Sequence, residues 1–241
     1  MQKNERPYAL SIAGFDPSGG AGLLADAKTM EAHQVYGLTV TTAITVQHES
    51  VFQAVEWLNV SLIKQQINLL FQKYPINFCK IGLIENWDVL SEITNLLLTL
   101  NPTIKIVVDP IFRASAGFDF HQNVTIEHLK KWLLNIYLLT PNAPELARIK
   151  DNQSDLMEVA QSLSAYCNVL YKGGHNEAQK GTDFLFTGHK IEALAPKAIA
   201  SYEKHGSGCV LSAAIVSNLA LGHDLYAACE KAKTYITHFL N

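Results

Sequence analysis

Short runs rich in β-branched residues alternate along this chain with longer amphipathic segments, and this alternation restricts the fold more than any other feature. Such a rhythm is typical of βαβ units, which build a sheet covered by helices on both faces. The segment 37–46 consists almost entirely of β-formers, so we expect it to be buried on both faces. The sequence therefore predicts an α/β fold with a mostly parallel central sheet.

The boundaries of the elements follow from the same pattern and from the glycines and prolines that interrupt it. The predicted strands are 8–13, 37–46, 77–81, 104–108, 136–140 and 168–171, with a β-hairpin over 182–187 and 190–194. The predicted helices are 21–33, 60–72, 86–100, 124–134, 207–221 and 224–240, with two further helices flanking residues 151–152. We find no repeat and no linker.

Length and composition fit a single domain over residues 1–241. The sequence has 241 residues, of which 48% are apolar and 17% charged, and this is enough for a sizeable core. Its 22 acidic and 19 basic side chains give a formal charge of −3 without a basic stripe, so we expect no nucleic-acid partner. The apolar stretches are too short for a bilayer and the first residues show no signal-peptide pattern. We therefore expect a cytoplasmic protein with no membrane partner.

The cysteines are too widely spaced for a disulfide framework or a zinc site. Cys79, Cys167, Cys209 and Cys229 form no C-x-x-C pair, and the nine histidines form no metal-binding ladder. Reduced thiols are the expectation for such a pattern in a cytosolic chain.

Several loops with functional side chains come directly after predicted strands. In open α/β sheets, ligands bind at the carboxyl ends of parallel strands. We therefore expect these loops to converge on one crevice, provided that the strands are parallel. The loops are those at Gly14, Gln47, Gly82, Asp109, Asn142 and Gly173.

The first of these loops, residues 14–22, is rich in glycine and lies before a predicted helix. Glycines allow backbone amides to approach a ligand closely. Part of the loop matches the loose dinucleotide pattern G-x-G-x-x-A, but five residues separate Gly14 from Gly20 and the expected acidic residue is missing, because Glu49 comes too late. A P-loop also fails, since no Lys-Ser/Thr follows. Asp16 is the only charged residue of the loop, and it is placed to accept a substrate amine or hydroxyl; a plain structural turn is the alternative.

A second glycine-containing loop, residues 204–209, comes directly before a long apolar helix. Small residues there leave amides at the positive end of the helix dipole, which suits the charge on a phosphoryl group in transfer. Because the dipole favours a thiolate, we expect a lowered pKa for Cys209 in the first turn. The alternative, a small residue that only packs the helix start, has equal support from the spacing.

Asn142 and Glu145 lie three residues apart at the start of a helix. They can share a hydrated magnesium ion, because magnesium keeps much of its water shell. The same spacing matches a helix-capping box, and on the pattern alone this structural role is favoured. Lys172, before two glycines, and Asp109, at a strand end, add charged groups to the same crevice.

Taken together, the motifs resemble hydroxymethylpyrimidine/phosphomethylpyrimidine kinases of the ribokinase-like superfamily. The resemblance runs in order from Ala9 to about Ile236, and its most specific stretch is ALSIAGFDPSGGAGLLADAKT over residues 9–29. The other matching motifs are Tyr36-Gly37, Thr42–Gln47, Lys80–Gly82, Val108–Pro110, Thr140–Glu145, Lys172–His175 and His205–Cys209. It implies a three-layer αβα fold and phosphorylation of a pyrimidine hydroxymethyl group by ATP with Mg²⁺, and then of the monophosphate.

The resemblance also implies roles for individual residues. Gln47 matches a glutamine that hydrogen-bonds the pyrimidine ring, and Asn142 with Glu145 matches a motif that positions magnesium and phosphate, a role that can coexist with a cap. The rest of the substrate pocket falls at Gly14, Asp16, Ala21, Leu83 and Ile111. The nucleotide phosphates fall near Lys172, with Asp109 on the same crevice. The catalytic group is Gly206, Ser207, Gly208 and Cys209, with Cys209 as general base where sugar kinases carry an aspartate. We also expect a homodimer.

Some positions depart from the family pattern and keep alternatives open. Ser207 replaces the usual Thr, Phe15 stands where a small polar residue is common, and His48 replaces Asn. The segment 112–117 differs from the usual loop, which puts its contacts in doubt. A pyridoxal or pyridoxine kinase on the same scaffold is the first alternative, and a non-catalytic pyrimidine-binding relative is the second.

Overall fold

The computed structural model describes residues 6–114, 117–150, 155–173, 181–196 and 204–240. Its strands are β1 (Tyr8–Phe15), β2 (Tyr36–His48), β3 (Val51–Trp57), β4 (Phe78–Ile81), β5 (Lys105–Val108), β6 (Val124–Thr125), β7 (Leu138–Leu139), β8 (Ile149–Lys150), β9 (Asn168–Tyr171), β10 (Asp183–Thr187) and β11 (Lys190–Leu194). Its helices are α1 (Gly22–Ala32), α2 (Val60–Phe71), α3 (Trp87–Leu100), α4 (Ile126–Leu133), α5 (Ala143–Arg148), α6 (Leu156–Leu163), α7 (Ser207–Ala220) and α8 (Leu225–Leu240). Over the described part of the chain, no helix combines the length and the apolar character that a membrane crossing requires.

Nine of the strands form one sheet in the order β11-β10-β9-β7-β5-β4-β1-β2-β3. The strands from β9 to β2 run parallel to their neighbours, whereas β10 pairs antiparallel with β9 and β3 pairs antiparallel with β2. The short strands β6 and β8 form a separate pair. The predicted α/β class and the predicted hairpin of β10 and β11 are confirmed.

Alternating side chains of the strands supply two cores, one on each face of the sheet. On β1, Leu10 and Ile12 belong to one core, and Ala9 belongs to the other. Helices α2 to α6 cover the first face, and helices α1, α7 and α8 cover the second. The sheet is thus buried between two helical layers, which leaves its carboxyl edge as the place where loops from several strands meet.

The end of β2 is where the sequence prediction was wrong. The strand is longer than predicted and only partly buried, with Ile44 and Val46 about half exposed. It pairs with β3, a strand that the sequence analysis missed. The missed signal is the alternation in Val51–Trp57, which follows a two-residue turn at Glu49 and Ser50.

An aromatic cluster joins the β2–β3 hairpin to the segment that follows β5. Phe52 on β3 stacks on Phe118, with ring centroids 4.7 Å apart, and meets Phe120 edge-on at 5.2 Å. Arg148 on α5 donates a hydrogen bond to the carbonyl of His121 at 2.9 Å. These contacts hold one wall of the crevice at the carboxyl edge. The unusual loop 112–117 lies partly outside the described residues, which omit 115–116.

Candidate active site

The loops at the carboxyl edge of the sheet enclose a cavity of about 810 Å³. All of the site residues proposed from the sequence line it, so the predicted convergence of the strand ends is confirmed. They are Gly14, Asp16, Ala21, Gln47, Leu83, Asp109, Ile111, Asn142, Glu145, Lys172, Gly206, Ser207, Gly208 and Cys209. Their arrangement divides the cavity into an apolar end near β2 and a charged end near α7.

The glycine loop between β1 and α1 is closed by contacts of its own backbone. Gly22 has φ +57°, and a Cβ there would lie 2.2 Å from the carbonyl oxygen of Gly14. Asp16 accepts hydrogen bonds from the amides of Ser18 and Ala21, both at 2.9 Å. Burial raises the pKa of Asp16, but the hydrogen bonds outweigh burial and hold it below its ordinary value.

Asp16 also connects this loop to the one before α7. The Nε2 atom of His205 lies 3.1 Å from Asp16 Oδ2 and donates to it when that nitrogen carries the proton. The carboxylate is 1% exposed and has several donors within the protein. Its role in the structure is therefore to brace the two loops, and contact with a substrate stays a prediction.

The loop before α7 presents uncapped amides to the cavity. Gly206 has φ +79° and no side chain to cap the helix, and a Cβ there would lie 1.9 Å from the carbonyl oxygen of Gly20. The amide of Ser207 donates to the carbonyl of Lys204 at 3.2 Å. The amides of Gly208 and Cys209 come next in the first turn, where a helix has no carbonyl four residues before to accept them. We call these two amides the candidate anion hole, because amides at the start of a helix suit a negative charge.

The predicted thiolate at Cys209 is wrong for the protein without ligands. Cys209 is 7% exposed, and burial raises the pKa of its thiol to about 11, although Lys80 and a hydrogen bond from the Gly22 amide oppose this. The cost of burying a charge outweighs the attraction of the helix dipole, which is worth about 0.3–1 kcal/mol at an exposed site. The resting side chain is a neutral thiol.

Asn142 and Glu145 form the capping box that the sequence pattern favoured. Asn142 Oδ1 accepts from the Glu145 amide at 2.8 Å, and Glu145 Oε2 accepts from the Asn142 amide at 2.7 Å. Burial raises the pKa of Glu145 above its ordinary value and Asp109 adds to this, while Lys172 opposes it. The cap uses Asn142 Oδ1 and one oxygen of Glu145, so the other carboxylate oxygen and the Asn142 amide group are not engaged by it.

Lys172 and Asp109 form an ion pair beside the first turn of α7. Lys172 Nζ lies 2.6 Å from Asp109 Oδ1 and 3.7 Å from Glu145 Oε2. Its carboxylate neighbours outweigh burial and raise the pKa of Lys172, so the side chain is a cation. A Cβ at Gly208 would lie 3.2 Å from Asp109 Oδ2 and 3.4 Å from Lys172 Nζ, so these charges border the anion hole. The remainder of the lysine motif, Gly174 and His175, lies outside the described residues.

Gln47 lies at the apolar end of the cavity, next to an irregularity in β2. The pairing of β2 with β3 shifts register between Val46 and Gln47. A bulge of this kind re-aims side chains and is common beside active sites. Thr45, Gln47, Leu83 and Phe120 all line this end. Glu49, in the turn after β2, also lines the cavity, so this end combines the Gln47 carboxamide with apolar groups and a carboxylate.

The sequence analysis missed one wall of the cavity. Lys233, Ile236 and Leu240 on α8 line it together with Pro144 and Pro196. Their spacing is that of an ordinary buried helix face. Nothing in the sequence pattern distinguishes a helix side that borders a cavity from one that packs against a core.

A mostly parallel sheet that carries an anion hole, a buried lysine and a capped Asn–Glu turn at its carboxyl edge defines the class of ribokinase-like small-molecule kinases. The sequence profile of the family described as phosphomethylpyrimidine kinase matches residues 16–241. The chain belongs to this family of phosphotransferases.

Individual relatives agree with this assignment. The chain is 37% identical over 238 residues to the hydroxymethylpyrimidine/phosphomethylpyrimidine kinase of Aquifex aeolicus (strain VF5), covering 95% of this chain and 92% of that protein. The crystal structure of phosphomethylpyrimidine kinase from Clostridium difficile 630 is 34% identical, with a TM-score of 0.78 and coverage of 98% and 100%. An ADP complex of Bacillus subtilis pyridoxal kinase is 26% identical, with a TM-score of 0.80 and coverage of 95% and 89%.

The contact between the two glycine loops yields a first prediction. Gly206→Ala should lower the melting temperature and remove nucleotide binding, because the new Cβ has no space against Gly20 and a positive φ is strained for alanine. Gly222→Ala is the matched control, since Gly222 has φ +89° but open space around it. Gly222→Ala should lower the free energy of unfolding only by the cost of an alanine in the left-handed region, about 1 kcal/mol. Thermal melts and a nucleotide titration compare the two; equal losses would show that backbone strain alone is responsible.

Proposed function

We propose that this chain transfers the γ-phosphoryl group of ATP to the primary hydroxyl of a hydroxymethyl-substituted aminopyrimidine, and then phosphorylates the monophosphate. The observation that carries the proposal is that Gln47 and the first turn of α7 face the same cavity. One end then recognises the ring and the other holds the group in transfer. The kinase of Aquifex aeolicus supports this substrate, and a further relative, the thiamine biosynthesis bifunctional protein of Geobacter sulfurreducens, which is 32% identical over 239 residues, supports a role in thiamine biosynthesis.

Phosphoryl transfer depends mainly on positioning and charge stabilisation. The amides of Gly208 and Cys209 are placed to hold the phosphoryl oxygens, and Lys172 is a cation at the border of this hole. Cys209 takes the proton of the attacking hydroxyl once its own thiol has ionised. The hydroxyl O–H bond breaks, an S–H bond forms, and the oxygen bonds to phosphorus as the β–γ bridge breaks.

The side chains at the charged end of the cavity are suited to bind a nucleotide together with magnesium. Within the described residues no cluster of three or more His, Cys, Asp or Glu side chains is arranged to hold a metal. Magnesium is commonly bound through one or two carboxylates with several waters, so the oxygen of Glu145 outside the cap is a sufficient anchor. The NH₂ group of Asn142 is a donor and suits a phosphate oxygen better than a cation. When bound, the metal neutralises charge on the phosphates.

A pyridoxal kinase activity is the second candidate function. The likeness to the pyridoxal kinase of Bacillus subtilis extends over nearly the whole chain. Both kinds of ring carry a hydroxymethyl group, so the phosphoryl end does not distinguish them. The carboxamide of Gln47 favours the pyrimidine, because it pairs with a ring nitrogen and an adjacent amino group.

The proposal includes one kinase domain over residues 1–241 acting in the cytoplasm as a homodimer. Ile44, Val46 and Val51 on the β2–β3 hairpin are each about half exposed. Such grouped apolar side chains supply a surface that a second subunit covers.

The choice between the two ring types is tested at Gln47. Gln47→Met should reduce kcat/KM for the pyrimidine by about 1–3 kcal/mol, because buried polar groups of the ligand lose their partner. Pyridoxal turnover should hold or rise. Steady-state kinetics with both substrates measure this, and Gln66→Met, whose amide bonds to the backbone of Thr41, serves as a control away from the cavity. An equal loss with both substrates would mean that Gln47 only supports the strand.

The role of Cys209 is tested by removing the thiol. Cys209→Ala should lower kcat by about 10²–10⁴-fold, the usual cost of losing a general base, with KM within several-fold of wild type. Because the thiol pKa is raised to about 11, wild-type kcat/KM should increase with pH above neutrality as the thiolate forms, and the variant should lose this increase. Cys229→Ala, another buried cysteine, is the packing control. Unchanged turnover in Cys209→Ala would remove the thiol from the chemistry.

The two roles of Glu145 are separable by substitution. Glu145→Gln keeps an oxygen for the cap and removes the charge, so it should raise the magnesium concentration for half-maximal rate and leave the melting temperature nearly unchanged. Asn142→Ala should instead lose about 1 kcal/mol of stability with its cap. Magnesium titrations beside thermal melts separate them. A lower melting temperature with unaltered magnesium dependence in Glu145→Gln would leave only the capping role.

A further inference from the structure

Below the first turn of α7 lies an ion pair without access to solvent. Lys80 on β4 and Asp26 on α1 are both 0% exposed, and Lys80 Nζ lies 2.7 Å from Asp26 Oδ2. Ser11 on β1 donates to the same oxygen at 2.6 Å. The other oxygen, Asp26 Oδ1, is buried and has no hydrogen-bond partner in the described part of the chain. One carboxylate oxygen thus receives both donors and the other receives none.

Stability does not account for this pair. Removing two charges from water costs as much as or more than their attraction returns, and well-packed apolar side chains of the same size commonly serve as well or better. An unpaired buried carboxylate oxygen adds a further penalty. The surroundings of Lys80 and Asp26 are otherwise core positions, where apolar residues are the ordinary choice. A function at the nearby site is the better explanation.

The pair belongs to two elements that pack against the helix of Cys209. Helix α7 packs against both α1 and β4. The start of α7 lies against the start of α1, since a Cβ at Gly206 would lie 1.9 Å from the Gly20 carbonyl oxygen and 3.0 Å from the Ala21 Cα. Asp26 lies one turn further along α1 than Gly22, on the same side of the helix. Lys80 reaches toward the carboxyl end of β4, where a Cβ at Gly82 would lie 2.8 Å from its Nζ.

Four charged groups act on the thiol from the elements around it. Lys80 acts from β4, Asp26 from α1 and Asp109 from the end of β5, and Lys172 interacts with it from the end of β9. Burial raises the pKa of Cys209; Lys80 lowers it, and Asp26 raises it by less than Lys80 lowers it. The pair therefore acts on the sulfur with two opposed influences of unequal size.

We propose that Lys80 and Asp26 are positioning residues that set the ionisation of Cys209, Lys80 favouring the thiolate and Asp26 restraining it. The inference rests on the proposed function, in which Cys209 accepts the hydroxyl proton. Before transfer the thiol releases its proton to solvent, and the thiolate then receives the proton of the substrate hydroxyl. The regenerated thiol returns that proton to solvent after product release. Neither Lys80 nor Asp26 exchanges a proton in this sequence.

The test measures the Cys209 thiolate against pH in the full chain without substrate. Ultraviolet thiolate absorbance and the rate of reaction with iodoacetamide give the midpoint, and Cys209→Ala supplies the background of the other cysteines. Each variant is compared with the same variant carrying Cys209→Ala, because burial raises the pKa of Cys167 to about 12, close to that of Cys209, and raises those of Cys79 and Cys229 as well.

The two single variants are expected to move the midpoint in opposite directions. Asp26→Asn should lower it, and Lys80→Met should raise it, each by about one pH unit or more, as is usual for a charge close to an ionisable group. A purely structural role would loosen the site and shift both variants the same way. The proposal would be overturned if the midpoint moved in the same direction in both variants, or did not move in either.

A double variant covers the case in which a single buried charge prevents folding. In Asp26→Leu/Lys80→Met both charges are replaced by apolar side chains, and its midpoint should lie above wild type because the larger influence, that of Lys80, is lost. An unchanged midpoint there overturns the proposal on its own.

Asp183→Asn is the matched control, because Asp183 forms another buried ion pair, with Lys233 on α8. Its Cys209 midpoint should stay at the wild-type value, and a shift as large as that of Asp26→Asn would show that any buried pair has this effect. Since the readout needs no turnover, it stands apart from the proposed function. If Cys209→Ala keeps full activity while the midpoints shift as expected, the assignment of the base fails and the electrostatic coupling stands.

Discussion

The close contact of two glycine loops is the constraint on which the rest of the site depends. The backbone of Gly206 lies against the carbonyl of Gly20, and that of Gly22 lies against the carbonyl of Gly14, at distances that exclude any side chain. The link from Asp16 to His205 closes the same junction with a charged group. Because of this contact, the first turns of α1 and α7 meet, and the residues near β2 and those near α7 line one cavity. A side chain at either glycine would separate them.

The charged groups around this junction are buried together, which is costly unless they are paired. Lys172 pairs with Asp109, and Lys80 pairs with Asp26. These pairs occupy the low-dielectric interior behind the anion hole, where a fixed charge acts on its neighbours more strongly than in water. Burying these charges costs folding stability, and it fixes the electrostatic environment of the site before a ligand binds. This is common at sites that transfer charged groups.

The capping box shows how one pair of residues can satisfy two readings of a sequence. The pattern at Asn142 and Glu145 favoured a cap, and both hydrogen bonds of that cap are present. The cap oxygen, Glu145 Oε2, also lies 3.7 Å from Lys172 Nζ, and the second carboxylate oxygen of Glu145, which lines the cavity, is outside the cap. A local structural signal and a functional one therefore do not exclude each other at the start of a helix. The cap holds Glu145 in place, and a positioned carboxylate is what a hydrated cation or a phosphate-binding network needs.

By itself the sequence determined most of the strands and helices but not β3, β6 or β8, together with the placing of loops at strand ends and the family, because periodicity and glycine spacing are local properties of the chain. Only the tertiary structure decided which faces of the strands were covered and how burial and neighbouring charges shifted the pKa of each ionisable group. Strand β2 looked buried on both faces, yet Ile44 and Val46 near its end are about half exposed and the strand pairs with β3, since coverage depends on distant elements. The position of Cys209 in the first turn of a helix predicted a thiolate, because the sequence shows where the helix dipole acts. The sequence does not show how deeply the thiol is buried or that Lys80 acts on it. Solvation is a property of the folded surroundings, and here it outweighs the dipole.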